Sequence, residues 1–245
     1  MNSTDFRKII LHKIKSALNQ HPGLWSTRVF SADFLPENIQ KSGKKNTCLP
    51  IMDKDSYRED LLDRFIGEIS KVGGSTYKAN SNSQVAQYVV EIAKKHRAKS
   101  IIKEDSLEFG PDIDSLCQNM DIKVFSYKDL PDADIISSAD IGICSCDYGI
   151  AESGTLAVLS RSGRGRLISL LPPVHIALIK PHQILLSLAE LFLNLSESSS
   201  PENQFSTSCL TLITGPSRTG DIEQTLTIGV HGPKELHAII VPGNT

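Results

Sequence analysis

The chain has 245 residues, of which 40% are hydrophobic and 22% charged, with a formal net charge of −2. That is the composition of a globular protein, long enough for one large domain or two small ones. The near-neutral balance offers no general electrostatic case for nucleic acid. No stretch approaches the roughly 18 apolar residues a membrane span needs; the longest, residues 167–179, is broken by Pro172-Pro173 and His175.

Five cysteines without a C-x-x-C pair do not make a disulfide framework, and they give zinc or an iron–sulfur cluster in this chain little to start from. Cys144 and Cys146 fall on one face of a strand, where two thiols alone do not make a metal site; burial without redox function is the expectation. With no continuous apolar signal region at the N-terminus, a reduced, cytoplasmic protein is expected.

In chain order, residues 5–19 are read as an amphipathic helix. Phe6, Ile9, Ile10, Ile14, Ala17 and Leu18 share one face and Arg7, Lys8, Lys13 and Lys15 the other. Residues 1–20 are therefore set apart from a single α/β domain over 21–245. A basic amphipathic helix can bind a membrane surface, but docking on its own domain or on a twin subunit is the favoured use, with exchange in a homo-oligomer open. Residues 20–53 are irregular. Residues 56–72 return to helical period and stop at Gly73-Gly74. A strand (75–79), a helix (83–96) and a strand (100–103) follow, an order that implies a right-handed parallel crossover. A helix at 112–119 and strands at 122–126 and 141–145 continue the alternation, with 134–138 ambiguous. The pattern predicts a three-layer α/β sheet with helices on both faces.

Beyond Glu152 the alternation changes. Segments 155–159, 167–171 and 175–179 read as three short strands, with no room for helices between them, in a mixed or antiparallel sheet. A helix is expected at 182–193, an exposed polar stretch at 194–206, and strands at 208–213, 225–230 and 236–241.

Two polar centres stand out. The first is Glu152-Ser153-Gly154-Thr155. A carboxylate at such a turn can serve as base, nucleophile or hydroxyl acceptor, or it can cap nearby backbone amides. Arg161 to Arg166 carries three arginines among glycines. It suits an anion cradle or a hairpin turn, and the turn is favoured. His175 follows Pro172-Pro173 and is either a fixed ligand or a structural histidine. No P-loop or G-x-G-x-x-G spacing occurs.

The second centre is residues 214–223. Ser217, Arg218, Thr219 and Asp221 suit a small polar anion at the end of the strand over 210–213, with Arg218 pairing its carboxylate. Further on, Gly232-Pro233 makes a rigid turn beside His231, the best candidate for proton transfer. The expectation is one shared site. Glu152 and His231 would be catalytic, and Gly154, Thr155, His175, Ser217, Arg218, Thr219, Asp221 and Gly232 would bind the ligand.

The runs AESGTL (151–156), SLLPPVHIALI (169–179), ITGPSRTGDIE (213–223) and GVHGPKELHAIIV (229–241) resemble the lactate utilization protein C, or LUD domain, family. The resemblance covers the C-terminal two-thirds. It implies a fold like ribose-5-phosphate isomerase and the CoA transferases, an α/β/α sheet with added short antiparallel strands. It also implies a role beside iron–sulfur partner proteins in oxidising L-lactate to pyruvate, with the clusters in the partners and no cofactor in this chain. Two other classes stay open. One is a stand-alone isomerase or acyl/CoA-transferase-like enzyme using Glu152. The other is a non-enzymatic assembly or regulatory protein.

Overall fold

The computed structural model describes residues 54–245 apart from 106, 108–109, 130–132, 198–208, 220–226, 230 and 243–245. The helix expected at 5–19 and the irregular stretch 20–53 lie outside the described residues.

Six strands form one wholly parallel sheet: β1 (Ser75–Lys78), β2 (Ser100–Lys103), β3 (Lys123–Ser126), β4 (Ile141–Ser145), β7 (Val174–Ile179) and β12 (Glu235–Ile240), in the order β1-β12-β7-β4-β2-β3. The middle strands are near-continuous apolar runs, as strands covered on both faces must be. Every residue of β7 is buried.

Helices α2 (Asn82–His96) and α3 (Gly110–Gln118) cover one face. Val85, Val89, Ile92, Ile113 and Cys117 pack there against Ile101, Ile141, Ile143, Ile176 and Ile239. Ser81 caps α2 by accepting from Gln84 N–H at 3.2 Å. On the other face lie α1 (Lys54–Lys71), α4 (Ala133–Ser137) and α5 (Leu167–Leu170). Their residues Leu61, Phe65, Ile69, Ile136 and Ile168 meet Cys144, Ala177 and Ala238.

A second sheet packs on this same face. It joins β5 (Tyr148–Ile150), β6 (Thr155–Ser160), β8 (Ile184–Leu185) and β9 (Cys209–Ile213) in the order β8-β5-β6-β9. Its outer side is covered by α6 (Leu188–Glu197) through Leu191 on Ile150, Ala157 and Leu185. A short antiparallel pair, β10 (Arg218–Thr219) with β11 (Thr227–Ile228), stands apart from both sheets.

The layered α/β architecture with added short strands is the one expected, and several elements differ. The segment at 134–138 is helical. Residues 167–171 form the short helix α5, and β7 is not a neighbour of β6 but the middle of the parallel sheet, where a strand buried on both faces has no alternation to show. The expected helix at 182–193 starts late. Pro181–Gln183 is a 3-10 turn and Ile184–Leu185 pairs with β5 before α6 begins. β5 itself, three residues long, carries too few positions for a period to be read.

Candidate functional site

At the carboxyl ends of the parallel strands the chain opens a cavity of about 270 Å³. Its walls come from the residues that leave four strands: Glu104 after β2, Ser145 to Asp147 at and after β4, Lys180 to Gln183 (through Lys180, His182 and Gln183) after β7, and Val241 after β12. Arg161 and Arg164 reach in from the loop after β6. The connection from β2 runs into α3 on one face, and that from β4 runs into the second sheet on the other. The cleft therefore sits at the topological switch point, where open α/β sheets bind ligands.

Arg164 organises this cleft. It is 6% exposed, and its guanidinium donates to Asp147 Oδ2 at 2.5 Å, Ser145 Oγ at 2.9 Å, Ser145 O at 3.1 Å and Leu159 O at 3.0 Å. Asp147 accepts in turn from Leu159 N–H at 2.7 Å and from Arg161. Each buried charge thus has an opposite charge and several hydrogen bonds, the condition under which such groups are tolerated. The arginine loop is a tight turn, as expected, closed by the Arg161–Arg164 bridge. One of its arginines nevertheless turns inward.

Glu104 is 2% exposed, accepts from Ser145 Oγ through Oε1, and stands 3.5 Å from Arg164 Nε through Oε2. That second oxygen makes no hydrogen bond. Burial raises the Glu104 pKa against the lowering by Ser145 and Arg164. A carboxyl so placed in a cleft is suited to holding or moving a proton. Cys144 and the wall residue Cys146 are buried free thiols whose pKa values burial drives upward, so they stay protonated and inert.

The residues singled out in the sequence lie elsewhere. Glu152 is exposed, and its Oε1 accepts from Leu188 N–H at 2.8 Å at the start of α6, which is amide capping. Gly154 (φ +62°) backs onto α1 so closely that a Cβ would strike the backbone at Glu68 and Ile69. Thr155 Oγ1 lies 2.7 Å from Ser153 Oγ and 2.8 Å from Thr214 Oγ1, a hydroxyl chain where the two motif stretches meet. His175 is fully buried, with Nε2 3.3 Å from Cys144 Sγ, and burial, with His237 nearby, lowers its pKa to about 4.

Ser217 N–H donates to Pro233 O at 2.8 Å, and Arg218 Nη2 donates to Val72 O at 2.8 Å, closing the end of α1. His231 is exposed and shares with Gly232, Leu171, Pro173 and Lys234 a separate cavity of about 460 Å³. Thr219 pairs with Thr227 in the short antiparallel pair, while its side chain and all of Asp221 lie outside the described residues.

Glu152, Arg218 and His231 thus lean on three different elements, and among the described residues they do not converge on one pocket. The physical reason is the polarity of β9. It runs antiparallel in the second sheet, so Thr214 leaves it beside α1. Lys234 N–H donates to Pro173 O at 2.8 Å, which places residues 231–234 at the amino ends of β7 and β12, opposite the cleft.

Residues 62–241 match the LUD domain. This chain belongs to the LUD domain family. Among similar LUD proteins, it is 30% identical over 190 residues to Lactate utilization protein C of Halalkalibacterium halodurans, covering 77% of this chain and 82% of that one. It is 33% identical over 198 residues to Lactate utilization protein C of Shouchella clausii, with the same coverage, 77% and 82%. The LUD fold also matches the crystal structure of a DUF162 family protein from Deinococcus radiodurans. The TM-score is 0.57 at 22% identity, over 76% of this chain and 98% of that one.

Glu104, Asp147, Lys180 and His182 did not stand out in the sequence of this LUD domain, because no motif joins them. One signal was available for two of them: Glu104 and Asp147 come just after strands read as buried and parallel, where the carboxyl-end rule applies, whereas the strand before Lys180 and His182 was read as part of a mixed or antiparallel sheet. Applied to Thr214, that rule pointed to the end of an antiparallel strand instead.

Proposed function

We propose that this LUD domain protein is a component of a lactate utilization system. It would hold a small carboxylate such as L-lactate in the carboxyl-end cleft, while iron–sulfur partner proteins accept the electrons released in oxidation to pyruvate. The lactate assignment rests on the names of its relatives. The observation that favours the cleft is its makeup. Arg161, itself paired with Asp147, and Lys180 line a cavity in which Arg164 also holds Asp147, and Ser145 and Arg164 engage Glu104.

In this reading Arg161 and Lys180 meet the carboxylate. Arg164 keeps Asp147 and Ser145 in place, Glu104 takes up the proton that the substrate hydroxyl gives up, and the hydrogen on the neighbouring carbon leaves as a second proton to solvent while the two electrons pass to the partner clusters. The test is reconstitution of L-lactate-dependent dye reduction with the iron–sulfur partners, with and without this chain. Activity is expected to depend on the chain and to fall at least tenfold with Lys180→Ala. Full activity without the chain contradicts the reading.

A further inference from the structure

At the opposite end of the sheet from the cleft, three side chains bring ligand atoms together. His96 is the last residue of α2, Glu235 the first of β12, and His237 follows two residues on. Their ligand atoms all lie within 4.8 Å of one another. Glu235 Oε2 is 3.2 Å from His96 Nε2 and 3.3 Å from His237 Nε2. A tetrahedral zinc ion with bonds of about 2.0–2.1 Å has ligand–ligand edges of roughly 3.3 Å.

Neither imidazole nitrogen uses its position in any other way. His237 is completely buried, yet its Nε2 makes no hydrogen bond, and the buried Nε2 of His96 makes none either. Two buried nitrogens left in this state are costly unless something is shared among them. The far side of the His237 ring is held: Nδ1 lies 3.3 Å from Tyr77 Oη, and the Tyr77 ring stacks at a tilt against it, 5.8 Å between centroids. A ligating histidine is characteristically oriented in this way through its other nitrogen. With Nδ1–H donating to Tyr77, Nε2 presents its lone pair to Glu235.

We propose that His96, Glu235 and His237 form a binding site for a divalent cation of the zinc class, clamping the end of α2 to the start of β12. Two imidazoles and one carboxylate are a known zinc donor set, and the fourth position opens to water on the exposed side of Glu235. Lys95 competes for the same oxygen, with Nζ 3.2 Å from Glu235 Oε2. It is 61% exposed and free to swing to solvent when a doubly charged ion takes its place.

The test titrates the metal-stripped full-length chain with Co²⁺ and then Zn²⁺, following the visible absorption of low-coordinate cobalt. The expected result is one saturable equivalent, displaced by Zn²⁺ and lost in both His96→Ala and Glu235→Gln. These positions are exposed enough to be changed without opening the core. Tyr77→Phe is expected to weaken binding about 10- to 100-fold, as removal of such a supporting contact does. Lys95→Gln is expected to bind as tightly or more tightly. Absence of a saturable equivalent, or binding that survives unchanged in His96→Ala and Glu235→Gln, overturns the proposal.

Discussion

Arg164 and Glu104 carry the cleft in different ways. Arg164 spends its donors on Asp147, Ser145 and Leu159, so its part is to hold the walls. Arg164→Met leaves Asp147, with a side chain 11% exposed, without its buried counter-charge. A loss of about 3 kcal/mol or more is expected, read from the urea midpoint. Glu104 instead tunes the charge that a ligand meets. Its pKa is raised above 4.5, mainly by burial, so at low pH it is neutral and adds nothing to repel an anion. It ionises at a higher pH than an ordinary carboxyl, and as it does so carboxylate affinity is expected to fall. Glu104→Gln keeps the shape and loses the step, which binding titrations across pH will show.

The elements named by the family motifs mostly hold α1 in place. Gly154 presses on its backbone at Glu68 and Ile69, Gly215 (φ +81°) on Val72, and Arg218 caps Val72 O. Gly154→Ala must accept a left-handed backbone and a Cβ against a helix, and is expected to cost roughly 2 kcal/mol or more. Arg218→Ala loses one exposed hydrogen bond, worth about 1 kcal/mol. Denaturation midpoints, with hydrogen exchange along α1, will rank the two. This explains what the sequence could and could not tell. The alternation of strand and helix from residue 56 to 145 was legible, because each element has its own period and stop, such as Gly73-Gly74 after α1. The second half was less so. VHIALI is apolar throughout, so nothing local separates a central parallel strand from a member of a small mixed sheet. Distinctive motifs drew attention to Ser217, Arg218 and His231, although a motif can be distinctive because it packs closely. Glu104, Asp147 and Lys180 belong together only through the strand order β12-β7-β4-β2, which is non-local information.

Over the whole molecule, one sheet serves two ends. Its carboxyl end opens the cleft and its amino end gathers Ser217, Pro233, Lys234 and the His96–Glu235–His237 cluster. Its centre holds His175, completely buried. Because the folded pKa of His175 is lowered to about 4, mostly by burial, from 6.5 when free, the unfolded chain takes up its proton first. Its contribution to stability is complete above pH 6.5 and is lost as pH falls towards 4, at up to about 1.4 kcal/mol per pH unit. Thermal melts between pH 7 and 4 are expected to show this decline, and His175→Gln is expected to flatten it. No helix among the described residues is long and apolar enough to cross a membrane. The central claim is that the carboxyl-end cleft, not the 214–237 stretch, receives the carboxylate. Isothermal titration of L-lactate and pyruvate into the full-length chain tests it most directly. Saturable binding weakened at least tenfold by Lys180→Ala and unchanged by Arg218→Ala is the predicted result; binding lost with Arg218→Ala and indifferent to Lys180→Ala would contradict it.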